Sequence, residues 1–139
     1  MSGTVHLFAY GTLAFPRLME AVTGRTFASQ PALLEGYARY ALRGATFPGL
    51  VEEGHSATDG VLWRDLDAAS LARVDDYEGD WYERRAVTVR AGDAPLPAQT
   101  YVLVDAQRRR VSRRRWVAAR FESRYLRRCL AEYGRGDAP

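Results

Sequence analysis

The first hydrophobic segment is the almost wholly apolar run V-H-L-F-A-Y from Val5 to Tyr10. Such a run, rich in β-branched and aromatic residues, is typical of a strand buried on both faces, so we expect it to be central in a sheet. Gly11-Thr12-Leu13 follows at once, and glycine permits a tight exit from a strand. A short helix is predicted from Pro16 to about Thr23, because proline favours its start and Gly24 its end.

Further strands are predicted where apolar residues alternate with polar ones or cluster between turn residues. They are Leu33–Leu42, which Gly36 bends or bulges, a short strand near Pro48-Gly49, and the segments Gly60–Trp63, Tyr82–Arg90 and Gln99–Val104. Polar residues predict a loop from Glu52 to Thr58, and a Gly/Pro-rich turn is predicted from Gly92 to Pro97.

A second helix is predicted from Asp67 to Tyr77, with Asp67 as its N-cap. Glu78 and Gly79 follow, and Gly79 suits a left-handed residue that ends a helix, so the carboxylate would project from a sharp turn. Aromatic residues flank Glu78 in sequence. A carboxyl group held against aromatic rings loses hydration, which raises its pKa and makes it a better base near neutral pH. The alternative is a solvated glutamate in a polar turn.

The last third of the chain predicts a basic helix from about residue 113 to residue 133. Val117, Phe121, Tyr125 and Cys129 recur every four residues as one apolar stripe, which is expected to pack on the sheet. The other face is mostly arginine. Residues 108–139 hold 11 Arg and 3 Asp/Glu (net +8), whereas residues 1–107 hold 9 Arg and 14 Asp/Glu (net −5). Two interpretations follow: a solvated face, or a surface for an anionic polymer. Aromatic residues do not interleave with the arginines for base stacking, which favours the solvated face, and we expect any nucleic-acid binding to be weak and without sequence preference.

Composition favours one globular domain over residues 1–139, since 47% of the residues are hydrophobic and 27% are charged. The sequence begins without a signal-peptide pattern and has no apolar run of membrane-spanning length, which predicts a cytoplasmic protein without a membrane partner. Cys129 is the only cysteine and is expected to be a small core side chain. His6 and His55 have no third ligand at a recognisable spacing, so no metal site is predicted. All twenty basic residues are arginine, which points to a GC-rich bacterial genome.

The turn after the first strand offers a second candidate for chemistry. Backbone N–H groups of a glycine turn converge at the end of a strand and can bind a carboxylate or a developing oxyanion. An ordinary tight turn is the alternative for a lone Y-G-T-L motif.

Taken together, these elements resemble the γ-glutamylcyclotransferase-like superfamily, and within it the AIG2-like proteins. The resemblance rests on F-A-Y-G-T-L at Phe8–Leu13, L-L-E-G-Y-A-R-Y at Leu33–Tyr40, Pro48-Gly49, D-x-Y-E-G-x-x-Y-x-R ending at Arg84, and a final helix led by Trp116. It implies an α+β fold, in which a mixed β-sheet curls into a partly closed barrel with flanking helices.

The resemblance also implies an enzyme of the acyltransferase or lyase type, which releases 5-oxoproline and a free amine from a γ-glutamyl amine or peptide. Glu78 aligns with the family glutamate and would be the general acid/base. The implied substrate-binding residues are Tyr10, Gly11, Thr12, Leu13, Tyr82 and Arg84. The nucleophile belongs to the substrate, so no cofactor or metal is implied.

Arg84 has a second interpretation, as a structural ion pair with Asp75 or Asp76. A non-catalytic or regulatory domain that binds a small ligand also remains an alternative to the enzyme. The expected partner is a small γ-glutamyl substrate, and the expected state is a monomer or a homodimer. The short spacer between Glu78 and Tyr82 is typical of AIG2-like members and leaves the amine leaving group open.

Overall fold

The computed structural model describes residues 3–134 as an α+β fold of six strands and four helices. The strands are β1 (Val5–Ala9), β2 (Ser29–Leu42), β3 (Pro48–Leu66), β4 (Tyr82–Ala91), β5 (Ala94–Leu103) and β6 (Val111–Arg115). The helices are α1 (Pro16–Thr23), α2 (Ala68–Glu78), α3 (Ala118–Arg124) and α4 (Leu126–Gly134). Short 3₁₀ turns cover Thr12–Ala14, Gly79–Trp81 and Asp105–Arg110. No helix among these is long and apolar enough to cross a membrane.

The sheet is mixed and curls into a partly closed barrel, as predicted. Its strand order is β3-β1-β5-β4-β2-β6, and β2 also pairs with β3, which closes the ring. β1 lies between β3, to which it is antiparallel, and β5, to which it is parallel. The ladder is shortest at two junctions, each with one registered pair: Leu33 with Arg90 between β2 and β4, and Leu7 with Gln99 between β1 and β5.

The central position predicted for the first strand is confirmed, and its side chains alternate between two cores. Leu7 and Ala9 pack with residues of α1 and α2 on the outer face of the sheet. Phe8 and Tyr10 lie in a second cluster, which includes residues of β2, β4 and β5. Both pairs are buried. β1 therefore joins the barrel to the helical layer.

α2 extends one residue beyond its predicted end, so Glu78 is the last helical residue. The Asp67 side chain accepts a hydrogen bond from the Ser70 N–H, which confirms the predicted N-cap. Gly79 has a positive φ of 73° as expected, but its ψ of −162° lies outside the left-handed helical region. That combination is essentially restricted to glycine. The polypeptide can therefore turn sharply into the next 3₁₀ segment without losing the helical position of Glu78.

The predicted loop from Glu52 to Thr58 was wrong, because β3 runs continuously from Pro48 to Leu66. Its polar residues indicate a loop, yet Glu52, Ala57 and Thr58 pair with β2. Glu35 is opposite Ala57 and Tyr37 is opposite Glu52, so residues 53–56 bulge out of the ladder. Gly36 lies at this shift in strand pairing, where the sequence predicted a bend or a bulge.

The turn predicted from Gly92 to Pro97 was also too long. β5 begins at Ala94, and both of its prolines pair with β4, Pro95 opposite Arg90 and Pro97 opposite Thr88. A two-residue connection at Gly92-Asp93 suffices for this hairpin.

The predicted helix from residue 113 to residue 133 was wrong in its first part. Arg113–Arg115 belong to β6, which pairs with β2 at Tyr40 and Leu42. The remaining helical part is broken at Tyr125 into α3 and α4. Val117, assigned to the apolar stripe, is 51% exposed because it precedes α3 in an extended conformation.

The close approach of β3 to β1 gives a test of the barrel. A Cβ added at Gly60 would lie 2.5 Å from the Ala9 carbonyl oxygen and 2.8 Å from the Phe8 ring. We expect Gly60→Ala to lower the free energy of unfolding by about 1–3 kcal/mol, because neither backbone can move freely in a closed sheet. Urea denaturation measures this. Gly54→Ala is the control, since a Cβ there meets no atom within 4 Å, and equal effects of the two changes would contradict this account of the barrel.

Candidate active site

A cavity of about 370 Å³ lies where the end of β1 meets α2, α3 and α4. One side is formed by the β1 end and the following turn, from Leu7 to Leu13. The others are formed by Thr46–Pro48, by aromatic residues and Glu78, and by side chains of the last two helices. Six of the seven predicted site residues line this cavity: Tyr10, Gly11, Thr12, Leu13, Glu78 and Tyr82.

Glu78 carries the main electrostatic feature of the cavity. The residue is half-buried, and its carboxyl group is surrounded by protein atoms. Loss of hydration, followed by the negative charge of Asp75, raises the pKa of Glu78 to about 8. Raised carboxyl pKa values of this kind are typical of groups that exchange protons near neutral pH.

The turn at Gly11 is held in place by its own backbone and side chains. A Cβ at Gly11 would lie 2.8 Å from Pro48 Cγ, so only glycine allows this approach of the turn to β3. Arg39 donates to the Tyr10 carbonyl oxygen at 2.8 Å, and the Trp63 indole donates to the Leu13 carbonyl oxygen at 3.0 Å. The Tyr10 and Leu13 carbonyl groups thus accept hydrogen bonds from protein side chains.

The N–H groups of the same turn are suited to an anion. The 3₁₀ segment makes its first bonds from Ala14 N to the Gly11 oxygen and from Phe15 N to the Thr12 oxygen. The N–H groups that precede them, at Gly11, Thr12 and Leu13, have no partner within the turn itself. All three residues line the cavity, which supports the predicted donor group.

The two predicted tyrosines use their protons on backbone carbonyl groups. The Tyr10 hydroxyl donates to the Tyr101 oxygen at 2.6 Å, and the Tyr82 hydroxyl donates to the Pro48 oxygen at 2.5 Å. Desolvation, followed by neighbouring negative groups that include Glu78, raises the pKa of Tyr10 and of Tyr82, so both hydroxyls stay protonated. Each oxygen can therefore accept a hydrogen bond from a ligand.

Arg84 does not line the cavity but forms the structural ion pair that the sequence left open. Its guanidinium donates to both carboxylate oxygens of Asp75, at 3.0 and 3.2 Å, and it also bonds Gln99. The Tyr101 hydroxyl donates to the same Asp75 at 2.5 Å. Tyr101 lines the cavity, so this network connects the ion pair to the site.

A second set of contacts ties the turn to the two helices. Thr12 Oγ1 and the Tyr77 hydroxyl are 2.7 Å apart, and the Tyr77 hydroxyl lies 3.9 Å from Cys129 Sγ. Desolvation raises the pKa of the Cys129 thiol, which keeps it a poor nucleophile, in agreement with its expected role as a packing residue.

The sequence did not predict the contributions of Tyr101, Arg128 and Glu132, which also line the cavity. Tyr101 approaches Asp75 only through the pairing of β5, and no local pattern indicates this contact. Arg128 and Glu132 are four residues apart, which is a signal for one helix face, but the arginine-rich context concealed it. Within residues 3–134, no group of three or more His, Cys, Asp or Glu side chains could hold a metal ion.

Comparisons with known proteins identify the family. The sequence model of the family described as gamma-glutamyl cyclotransferase, AIG2-like, matches residues 7–118. Protein AIG2 C of Arabidopsis thaliana is 32% identical over 102 residues, which are 72% of this chain and 62% of that protein. The AIG2-like protein C of the same plant is 29% identical, over 69% of this chain and 57% of that protein. The chain thus spans about three fifths of the length of these relatives.

Solved structures show the same fold. A solution structure from Arabidopsis thaliana has a TM-score of 0.73 and 26% identity, with 98% of this chain and 85% of that chain covered. A structure titled gamma-glutamyl cyclotransferase has a TM-score of 0.65 and 16% identity, with 73% of this chain and 67% of that chain covered.

The position of Asp75 predicts its effect on Glu78. We expect Asp75→Asn to lower the pKa of Glu78 from about 8, because a negative charge is removed and Arg84 loses its counter-charge. Desolvation remains, so the pKa should stay above its ordinary value. A titration of the glutamate side chains by NMR measures the shift. Asp76→Asn is the control, since Asp76 is exposed, and an unchanged or higher pKa in Asp75→Asn would contradict the role of Asp75.

Proposed function

Because this chain belongs to the AIG2-like family of gamma-glutamyl cyclotransferases, we propose that it releases 5-oxoproline and a free amine from a γ-glutamyl amine or peptide. One observation carries the proposal: Glu78, with a pKa raised to about 8, shares a cavity with the backbone donors of the Gly11 turn. A proton acceptor and an oxyanion site are the two parts that an intramolecular acyl transfer requires.

The pKa of Glu78 suits the amine that it would deprotonate. The ammonium form of an α-amine is a much weaker acid than an ordinary solvated carboxyl group, so proton transfer to an ordinary carboxylate is uphill in free energy. Raising the pKa of Glu78 to about 8 brings its basicity closer to that of the amine and lowers this cost. The loss of hydration around Glu78 therefore makes it a better base for this substrate.

In the proposed reaction the substrate α-amine attacks its own γ-carbonyl carbon. The new bond closes a five-membered lactam ring, and the bond to the leaving nitrogen breaks. Glu78 accepts the proton of the attacking amine and returns it to the leaving amine, so the protein ends in its initial state. The proposed reaction consumes no water and needs no external nucleophile.

The turn and the tyrosines supply the remaining interactions. Backbone N–H groups of Gly11, Thr12 and Leu13 would stabilise the negative charge that develops on the γ-carbonyl oxygen, or hold the α-carboxylate. The hydroxyl oxygens of Tyr10 and Tyr82 would accept hydrogen bonds from the substrate amine, because their own protons are directed to carbonyl groups. Arg84 would act through Asp75 and not by direct contact with the substrate.

The first test replaces the base. We expect Glu78→Gln to lower turnover of γ-glutamyl compounds by about 10²–10⁴-fold, because glutamine keeps the shape of the side chain but cannot accept the proton. Release of 5-oxoproline by the purified variant measures the loss. Full activity of a folded Glu78→Gln protein would remove Glu78 from the mechanism.

The same variant has its own folding control. The native state keeps the Glu78 proton up to a pH of about 8, whereas the unfolded chain releases it near its ordinary pKa. Wild-type stability should therefore fall as the pH rises through this interval. Glutamine does not ionise, so Glu78→Gln should melt like the wild type near pH 5 and at a higher temperature near pH 9.

The second test concerns the nucleophile. A γ-glutamyl compound with a free α-amine should yield 5-oxoproline, and its N-acetylated analogue should yield almost none. Proximity of a well-placed amine contributes on the order of 7–11 kcal/mol, so blocking it should remove most of the acceleration. Chromatography should separate 5-oxoproline, glutamate and N-acetylglutamate. Free glutamate or N-acetylglutamate as the product would mean that water attacks and that the protein is a hydrolase.

A further inference from the structure

The family match ends at residue 118, but the cavity continues beyond it. Five of its lining residues lie on or between the last two helices: Phe121, Tyr125, Arg128, Cys129 and Glu132. The proposed base and donor turn lie inside the matched segment. The cavity is therefore composed of a part that the family model covers and a part that it does not.

α4 is held firmly enough to form a binding surface. Leu126, Cys129 and Leu130 pack against the core cluster that contains Leu18 and Met19 of α1. Cys129 also faces the Tyr77 hydroxyl, at 3.9 Å, on the helix that ends at Glu78. The face of α4 toward the cavity is thus fixed relative to the proposed base.

Arg128 and Glu132 place charge at the mouth of this cavity. Both residues are exposed and both line it. Within the part of the chain whose side chains the structure describes, neither makes an ion pair or a hydrogen bond, not even with the other one turn away. A guanidinium without a partner among the described side chains, beside a proposed substrate cavity, can bind a ligand carboxylate, which its planar donors match well.

The chemistry indicates which part of the substrate reaches α4. Glu78 and the Gly11 turn would hold the reacting glutamyl group, so the leaving amine has to extend toward the open side of the cavity. Of the charged residues in the segment 118–132, Arg128 and Glu132 line the cavity, so the Arg128 guanidinium is the cationic group of this segment that a negative group of the substrate can meet.

We propose that Arg128 binds a carboxylate on the leaving amine and thereby selects γ-glutamyl amino acids over γ-glutamyl compounds of simple neutral amines. This inference rests on the proposed function. Arg128 is a specificity-determining residue and takes no part in the proton transfers. The negative charge of Glu132 repels the same carboxylate and so reduces the preference for γ-glutamyl amino acids.

Two substrates that differ only in this carboxylate test the inference: γ-glutamylglycine and γ-glutamylmethylamide. The measured quantity is the ratio of their kcat/KM values. We expect Arg128→Gln to lower that ratio by about 3- to 10-fold, mainly through a higher KM for γ-glutamylglycine, since a partly exposed charged hydrogen bond is lost. Glu132→Gln should raise the ratio.

Arg127→Gln is the matched control, because Arg127 is an exposed arginine next in sequence that does not line the cavity. It should leave the ratio unchanged, and thermal melting should show that all three variants are folded. An equal effect of the Arg127 and Arg128 changes, or an equal loss for both substrates, would overturn the inference.

A binding measurement separates this inference from the proposed function. If the wild type turns over neither compound, the cyclotransferase proposal fails, and calorimetry with the same two compounds still decides the role of Arg128. Tighter binding of γ-glutamylglycine that is lost in Arg128→Gln supports the subsite. Equal binding of the two compounds, or no binding of either, contradicts it.

Discussion

Burial of β1 on both faces is the constraint on which the cavity depends. Phe8 and Tyr10 point into the barrel while Leu7 and Ala9 pack under the helices, so the strand cannot shift without disturbing both cores. The turn at Gly11 continues this strand directly. The packing of the barrel and of the helical layer therefore sets the position of the turn. The backbone N–H donors of the proposed site are held by this packing and do not depend on a flexible loop.

The same packing has an electrostatic consequence at the end of α2. Glu78 is desolvated because it lies among the aromatic side chains of the cavity, and Asp75 one helical turn earlier adds a negative charge. Asp75 is itself stabilised by Arg84 and Tyr101. Asp75 thus has a guanidinium and a hydroxyl as polar partners, whereas burial and the charge of Asp75 raise the pKa of Glu78. Pairs of carboxyl groups with such different surroundings often divide structural and chemical roles.

The sequence predicted those parts that local signals determine. The apolar run of β1, the proline and glycine at the ends of α1, and the N-cap at Asp67 each specify structure within a few residues. Pairing between distant segments was not predictable in this way. The two ends of the polar stretch of β3 are extended because they pair with β2. The arginines of β6 are extended because β6 pairs with the other side of β2 near Tyr40. Arg84 belongs to the motif that carried the family resemblance, but only the structure shows that it pairs with Asp75.

The arginines of β6 have a consequence for the behaviour of the protein at high concentration. Among the strands that the structure describes, β6 is paired on one side only, so its other side is a sheet edge. Arg113, Arg114 and Arg115 are exposed along that edge. Two such edges would repel each other, because pairing would bring rows of like charges together at strand spacing. The arginine run that resembled a binding surface in the sequence thus places like charges where two β6 edges would meet.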